Sequence, residues 1–128
     1  MVMKTTSWDA ITLEPMTAYI TRQMWNGEHT TVARIVLKKG AVVPRHTHPS
    51  EQFSLIFSGA LEFEFPDGKQ LVRAGEMIFI PSGVPHSAVA LEDTIDLDVF
   101  GPRREDWISG DDKYLRSGNQ GQPGSGSR

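Results

Sequence analysis

A chain of 128 residues predicts a single domain with one hydrophobic core. With 13 Lys and Arg against 16 Asp and Glu and no block of like charge, the sequence does not indicate a nucleic-acid surface or a basic membrane patch, so small molecules are the expected partners. The absence of cysteine excludes disulfides, thiolate nucleophiles and cysteine-bound zinc. No apolar stretch resembles a signal peptide or a membrane span, and we therefore expect a cytoplasmic protein.

Short strands are predicted for most of the chain. Segments rich in β-branched and aromatic residues alternate with Gly, Pro and Asp turns at 31–40, 51–59, 60–68, 76–83, 86–93 and 94–102. In the third segment Leu61, Phe63 and Phe65 alternate with two glutamates, and a Pro-Asp-Gly turn signal follows. Evenly spaced short strands predict a sandwich or a barrel.

The C-terminal part departs from this pattern after Pro102. Its "RREDWISGDDKYLR" stretch predicts one short helix, with Trp107 and Ile108 packing against the strands. Residues 117–128 are almost wholly Gly, Ser, Gln, Asn and Pro, a composition typical of a disordered tail. We therefore expect the folded domain to span residues 1–110.

Three of the four histidines lie in two short segments bounded by Gly and Pro. On a strand, His46 and His48 project to the same side because side chains alternate, so both imidazoles can reach one point. His86 follows a proline-glycine turn at the start of another predicted strand. A His-x-His pair alone is more often structural than metal-binding, and the pair by itself leaves both interpretations open.

The full spacing of the two segments resembles the two signature motifs of the cupin superfamily. The first segment reads G-x5-H-x-H-x3-Q-x6-G over residues 40–59, and the second reads G-x5-P-x-G-x2-H over residues 75–86. This resemblance implies an all-β domain, a double-stranded β-helix or jelly-roll barrel. It also implies one divalent metal ion inside one open mouth of the barrel.

Two departures from the cupin pattern bear on function. Where the family usually has a glutamate ligand this chain has Gln52, whose amide oxygen we expect to join the histidines, whereas Glu51 should face the other side of its strand. Ala90 replaces the asparagine that often ends the second motif. Neutral ligands leave the metal charge uncompensated, which favours an anionic substrate and Lewis-acid chemistry over iron-dependent oxygenation. Ni, Zn, Mn, Co and Fe all suit such a site.

A more specific resemblance comes from "LDVFGPRRED", residues 97–106, which is similar to the Asp-Val-Phe-x-Pro-x-Arg-Glu-Asp ending of the KdgF family. The "HTHPSEQ" segment resembles the same family, and the likeness covers about residues 40–107. It implies ring opening of 4,5-unsaturated uronates, derived from pectin or alginate, to the linear ketonised sugar acid. Carried over residue by residue, it implies Asp98 as the catalytic acid/base, Arg104 as the substrate-binding residue, and four metal ligands, His46, His48, Gln52 and His86.

The alternation within "TIDLDVF" bears on the role of Asp98. Its carboxylate shares a strand face with Asp96 and Phe100, and if this face looks into the barrel, Asp98 can reach the ligand cavity. The alternative is that the aspartates face solvent beside basic residues, which is the preferred interpretation for Asp96 only. For Arg104 the alternative to substrate binding is an exposed position in a charged turn.

Competing functions come from three other classes of cupin. A non-haem iron dioxygenase would consume oxygen. A lyase of small sulfonium carboxylates would tend to have pocket tyrosines, and this chain has only Tyr19 and Tyr114, both outside the motif strands. A sugar-acid sensor would bind without turnover and would usually carry a DNA-binding domain.

Assembly can also be predicted from the second strand segment. If Gln52 faces the cavity, Phe53, Leu55 and Phe57 lie on the opposite face and need a cover. Either the N-terminal strands or a second subunit could supply it. The resemblance to small cupins favours a homodimer.

Overall fold

The computed structural model describes residues 2–119 of the chain. These residues form two antiparallel sheets. In spatial order, the larger sheet contains β1 (Glu14–Pro15), β2 (Ile20–Asn26), β3 (Thr31–Leu37), β10 (Thr94–Gly101), β5 (Glu51–Ser58) and β8 (Met77–Ile80). The smaller sheet contains β4 (Val42–His46), β9 (His86–Ala90), β6 (Ala60–Phe65) and β7 (Gly68–Arg73). The predicted all-β, single-domain jelly-roll class is confirmed.

All six predicted strand segments form strands, whereas β2 and β7 were not among them. Strand β7 was missed because it has no apolar run: it lies at a sheet edge, and only Val72 of its residues is fully buried. The predicted hairpin is confirmed: Phe65 pairs with Gly68 and leaves a two-residue turn between β6 and β7. Gly59, between β5 and β6, has a φ of 88°, and a Cβ there would lie 2.3 Å from the Asp93 carbonyl oxygen.

The hydrophobic core lies between the sheets. Its side chains are the inward members of the alternating strands, each worth about 1.5 to 3 kcal/mol when fully buried, and they include Ile35, Leu37, Ile56, Leu61, Phe63, Ile80 and Phe100. Polar side chains replace this apolar filling along part of β5 and β10, where Gln52, Ser54, Asp96 and Asp98 also point inward.

The C-terminal segment forms two short helices rather than the single predicted one. Helix α1 (Glu105–Ser109) ends at Gly110, whose φ is 85°, and helix α2 (Lys113–Arg116) follows. Trp107 is buried as predicted, but Ile108 is exposed because it lies on the outer side of α1. None of the helices within residues 2–119 is long and apolar enough to cross a membrane.

The folded region extends past residue 110. Asp112 is buried and lies 2.8 Å from Arg22 of β2, so α2 is anchored to the larger sheet. Asn119 donates a hydrogen bond to the Gly40 carbonyl and accepts one from the Val42 amide. The first residues of the predicted tail therefore pack against β4, while residues 120–128 lie outside the described region.

Several large apolar side chains remain exposed on the outer face of the larger sheet. Phe53 and Phe57 of β5 lie beside Met77 and Phe79 of β8, and the Phe53 and Phe79 rings are 5.1 Å apart. Of the two predicted covers, the N-terminal strands are excluded for the described residues, because β1 and β2 extend the opposite end of the same sheet.

Candidate metal centre

Three histidine side chains meet at one end of the space between the sheets. His46 ends β4, His86 begins β9, and the two residues are register partners with ring centroids 4.3 Å apart. His48 was predicted to share the strand with His46, but it lies in the loop after β4 and reaches the same point from there. Their available ligand nitrogens all lie within 4.8 Å of one another, a grouping that can hold a metal ion.

Each imidazole is oriented by its own backbone. The Nδ1 atoms of His46, His48 and His86 lie 2.8 Å from the carbonyl oxygens of residues two positions away. A carbonyl only accepts hydrogen bonds, so Nδ1 carries the proton in all three rings. The Nε2 lone pairs are then free to bind a metal, with the orientation that metal-binding histidines commonly have.

The three imidazoles are neutral at pH 7. Burial lowers the pKa of His46 to about 3 and that of His48 to about 4, and electrostatic interaction with His86 for His46, and with Arg104 for His48, acts in the same direction. Burial also lowers the pKa of His86. Neutral imidazole is the metal-binding form of histidine.

Gln52 supplies an oxygen to the same point. Its amide Nε2 donates to Ser54 Oγ over 2.8 Å, and its Oε1 lies 3.1 Å from His48 Nε2. With Nδ1 protonated, His48 Nε2 is an acceptor and so is Oε1, and a separation of 3.1 Å is one that two ligand atoms of the same cation can have. The buried Nε2 of His86 has no hydrogen-bond partner within residues 2–119. A divalent metal ion fits this set of three nitrogens and one oxygen.

Glu51 lies on the outer, exposed face of β5, as its position next to Gln52 predicts. Ala90, at the end of the second motif, is buried in the core and contributes no polar group.

Asp98 is connected to Gln52 through one intervening side chain. Ser54 Oγ donates to Asp98 Oδ1 over 2.7 Å, and both residues are buried. Asp96 is also buried, with only 5 % of its surface exposed, so the preference for a solvent-facing Asp96 was wrong. The reason is that β10 is central, between β3 and β5, and its alternation turns both carboxyls toward the other sheet.

Burial raises the pKa of both carboxyl groups. For Asp96 the neighbouring Asp98 raises the pKa further, to well above its usual value. For Asp98, hydrogen bonds from Asp96 and Ser54 and the charge of Arg104 oppose the effect of burial. Asp98 is therefore the carboxyl that ionises more readily.

Arg104 is buried rather than part of an exposed turn. Its guanidinium makes a two-pronged contact with Asp106, with Nε to Oδ1 2.9 Å and Nη2 to Oδ2 2.7 Å. It lies over the rings of Phe100 and Trp107, 4.7 and 4.2 Å from their centroids. The surface alternative was wrong, and a role in substrate binding stays a prediction.

Tyr114 is a site residue that the sequence reasoning missed. Its ring stacks on His46 with centroids 4.2 Å apart, and its hydroxyl accepts hydrogen bonds from Arg104 and Trp107. It lies outside the motif strands, as predicted, yet it reaches the pocket from α2. No local signal marks it, whereas Ser54 could have been found from its place two residues after Gln52 on the same strand face.

These side chains enclose a cavity of about 50 Å³, enough for no more than a few water molecules. Its polar walls come from β4, β5, β9, β10, the loop after β10 and α2: His46, Gln52, His86, Asp96, Asp98, Arg104 and Tyr114. Helix α2 thus covers the metal centre, and the rest of the wall is apolar.

Residues 33–100, more than half of the chain, match the family described as "Cupin domain". The chain belongs to the cupin family. Cupin enzymes, sensors and storage proteins share this barrel, so membership alone leaves the reaction open. No curated protein sequence matches this cupin significantly.

Solved cupin structures share its architecture. An RmlC-like cupin from Shewanella frigidimarina is 27 % identical, with 80 % of this chain and 93 % of the other aligned and a TM-score of 0.74. KdgF from a Halomonas species is 28 % identical, with 77 % and 94 % aligned and a TM-score of 0.71. Oxalate decarboxylase from Bacillus subtilis, 21 % identical over 76 % of this chain and 29 % of its own, has a TM-score of 0.69 and shares the fold. The predicted resemblance to a small KdgF-like cupin is therefore supported.

Proposed function

We propose that this cupin is a metal-dependent enzyme that opens the ring of 4,5-unsaturated uronates, derived from pectin or alginate, and gives the linear ketonised sugar acid. The observation that carries the proposal is the placement of Asp98 in the wall of the cavity that His46, His86 and Gln52 also line. The likeness to KdgF, at 28 % identity, supports the same function.

The reaction needs proton transfer and no change of oxidation state. The substrate is a cyclic hemiacetal whose ring oxygen is also part of an enol ether. Opening breaks the bond between C1 and the ring oxygen: the anomeric hydroxyl loses its proton and becomes the aldehyde, and the ring oxygen gains a proton and becomes an enol. The enol becomes a ketone by gaining a proton at C4 and losing its hydroxyl proton. Asp98 is the group that takes and delivers these protons, because its raised pKa brings it toward the working pH of a general acid/base.

A bound divalent ion would supply Lewis-acid polarisation of substrate oxygens. His46, His48, His86 and Gln52 would hold it, and none of the four brings a negative charge. The centre would therefore attract the uronate carboxylate. Nickel, zinc, manganese, cobalt and iron all accept imidazole nitrogens and an amide oxygen.

Arg104 would hold the substrate carboxylate by its fixed positive charge. This charge reaches the centre, because it contributes to lowering the pKa values of His48 and Asp98. Asp106 and Tyr114 fix the guanidinium in one orientation, so its position does not depend on the substrate.

The decisive experiment follows loss of the 4,5-unsaturated chromophore with metal-loaded protein while dissolved oxygen is monitored. Acceleration without oxygen uptake is expected, and Asp98→Asn should reduce the rate by about 100-fold or more. Asp9→Asn, at an exposed aspartate, is the matched control. A wild-type rate in the Asp98 variant would refute the assignment. Oxygen uptake would point instead to a dioxygenase, and binding without turnover to a sensor.

One observation favours a second candidate, the lyase of small sulfonium carboxylates. The sequence argument against it was the lack of pocket tyrosines, and Tyr114 lies in the pocket beside His46. Release of a volatile sulfide from such a substrate, abolished by Tyr114→Phe, would favour the lyase over uronate ring opening.

The homodimer predicted from sequence is proposed to form through the outer aromatic face. This face consists of Phe53, Phe57, Met77 and Phe79, which are between 42 and 70 % exposed. An apolar surface of this kind usually marks an interaction site. A two-fold axis would place the same side chains from each copy against one another.

A further inference from the structure

A second carboxyl group, that of Asp96, lies beside Asp98 and has no part in the mechanism described above. We propose that Asp96 is a positioning residue, which shares one proton with Asp98 and holds that carboxylate in place through a carboxyl–carboxyl hydrogen bond. The catalytic part of this inference rests on the proposed function, whereas the sharing of the proton does not.

The geometry of β10 brings the two groups together. Asp96 and Asp98 are two residues apart on one strand, project to the same side and line the same cavity, where each carboxyl affects the pKa of the other. Asp98 also accepts from Ser54, so its carboxylate is held from two sides. Asp96 Oδ1 has no hydrogen-bond partner among the described residues and lies in the cavity wall. A hydrogen bond between two carboxyl groups requires that one of them keep a proton.

The surroundings of Asp96 are apolar. Its cross-strand neighbours are Ile35 on β3 and Ile56 on β5, whereas Asp98 lies opposite Ala33 and Ser54. Within residues 2–119 neither carboxyl forms an ion pair with a basic side chain. An unpaired carboxylate in such a place is costly, and the group retains a proton instead.

The proton belongs mainly to Asp96. Burial and the nearby carboxylate both raise its pKa, whereas the hydrogen bonds that Asp98 receives favour the ionised form of Asp98. Asp96 is thus the neutral donor and Asp98 the charged acceptor. This arrangement keeps a general base ionised in a buried site and brings no positive charge into contact with it.

The other titratable groups in the cavity wall do not replace this partner. They come from β4, β9, the loop after β10 and α2, and they are His46, His86, Arg104 and Tyr114. Strands β3 and β5 contribute only neutral side chains to the wall. Arg104 is the one permanent charge in this set, and it is already paired with Asp106. Loss of the shared proton would therefore leave two negative charges side by side, with no unpaired permanent positive charge in the cavity wall to balance them.

Infrared spectroscopy of the full-length, metal-loaded protein tests the shared proton without turnover. The wild type should show one protonated buried carboxyl at pH 7. Asp96→Asn should lose this band, while Asp98→Asn and the exposed control Asp9→Asn should keep it. Absence of the band from the wild type, or its persistence in Asp96→Asn, would overturn the proposal.

The pH profile of kcat/KM for chromophore loss tests the positioning role. Asp96→Asn keeps a donor for Asp98, so it should retain the acid limb and lose the alkaline limb that reflects the shared proton. Asp96→Leu removes the donor and should move the acid limb upward by about one pH unit or more. A uniform loss of activity with unmoved limbs would show a purely structural role and overturn the proposal. If the wild type fails to turn over the uronate, the proposed function fails and the infrared result alone decides the pairing.

Discussion

His48 Nε2 and Gln52 Oε1 lie 3.1 Å apart, and both atoms are hydrogen-bond acceptors. The donor groups of both side chains form hydrogen bonds with other residues: His48 Nδ1 donates to the Ser50 carbonyl, and the Gln52 amide nitrogen donates to Ser54 Oγ. The pair is therefore arranged for a cation rather than for a direct hydrogen bond. This relationship makes Gln52 a part of the metal centre whose contribution can be measured.

Replacing Gln52 by leucine should weaken metal binding by at least about tenfold, because one ligand is lost from a preformed set. Gln52→Glu should bind as tightly as the wild type or more tightly, since a carboxylate offsets the charge of the cation. Isothermal titration with nickel and zinc measures both, and Gln70→Leu on the exposed edge strand is the control. Unchanged affinity in the leucine variant would remove Gln52 from the ligand set.

Loss of a histidine ligand should abolish stabilisation by metal. A ligand present at 100 times its dissociation constant stabilises the folded state by about 2.7 kcal/mol, so the wild type should melt at a higher temperature when metal is added. His86→Ala should show no such rise. His29→Ala should behave as the wild type, because His29 does not belong to the cluster and 89 % of its side chain is exposed. A normal metal-induced rise in the His86 variant would contradict the site.

The ion pair between Arg22 and Asp112 should matter for the fold. Both side chains are 1 % exposed, and removing one partner of such a pair typically costs roughly 3 to 5 kcal/mol. Glu14 also contacts Arg22, so we expect Asp112→Asn to lower the free energy of unfolding by about 2 kcal/mol. Urea unfolding measures the difference, and Asp111→Asn, at the exposed neighbouring position, should change it by less than about 0.5 kcal/mol.

The same pair predicts a pH dependence. Burial alone would raise the pKa of Asp112, but hydrogen bonds from Arg116 and Arg22 outweigh it and lower the pKa below its usual value. A depressed pKa adds stability that is complete above the unfolded-state value, about 3.9, and is lost as the pH falls through the folded-state value. The difference in unfolding free energy between the wild type and Asp112→Asn should therefore stay constant from pH 7 down to about pH 4 and shrink as the pH falls below that value. A constant difference would show that Asp112 does not titrate with folding.

The aromatic outer face should control the oligomeric state. Phe57→Ser changes a side chain that is 70 % exposed, so the fold of one subunit should be unaffected while a dimer dissociates. Light scattering after size-exclusion chromatography measures the mass. Leu13→Ser, at another exposed apolar position, should leave the dimer intact. A monomeric wild type, or a dimeric Phe57 variant with unchanged affinity, would contradict this interface.

The sequence was sufficient for the features that depend on local spacing. Alternation along β5 placed Gln52 and Glu51 on opposite faces, alternation along β10 placed Asp96 and Asp98 on one face, and the motif spacing brought His46 and His86 together. The errors concern contacts between segments distant along the chain. Alternation alone did not show which face of β10 points into the barrel. The face with Ile95, Leu97 and Val99 is more apolar than the face with Asp96, yet the face with Asp96 is the inward one. Tyr114 and Arg104 acquired their positions from the packing of α1 and α2, which no local pattern encodes.

Helix α2 also has a consequence for rates. Tyr114 stacks on His46, and Asp112 anchors the same helix to Arg22, while the enclosed cavity is far smaller than a monosaccharide. Entry of a sugar and exchange of the ion should therefore depend on local opening of this short segment, whatever the affinity of the site. Release of the ion to a chelator should be slow and should become independent of the chelator concentration once opening limits it. A Tyr114→Ala substitution shortens the lifetime of the closed state and should accelerate that release.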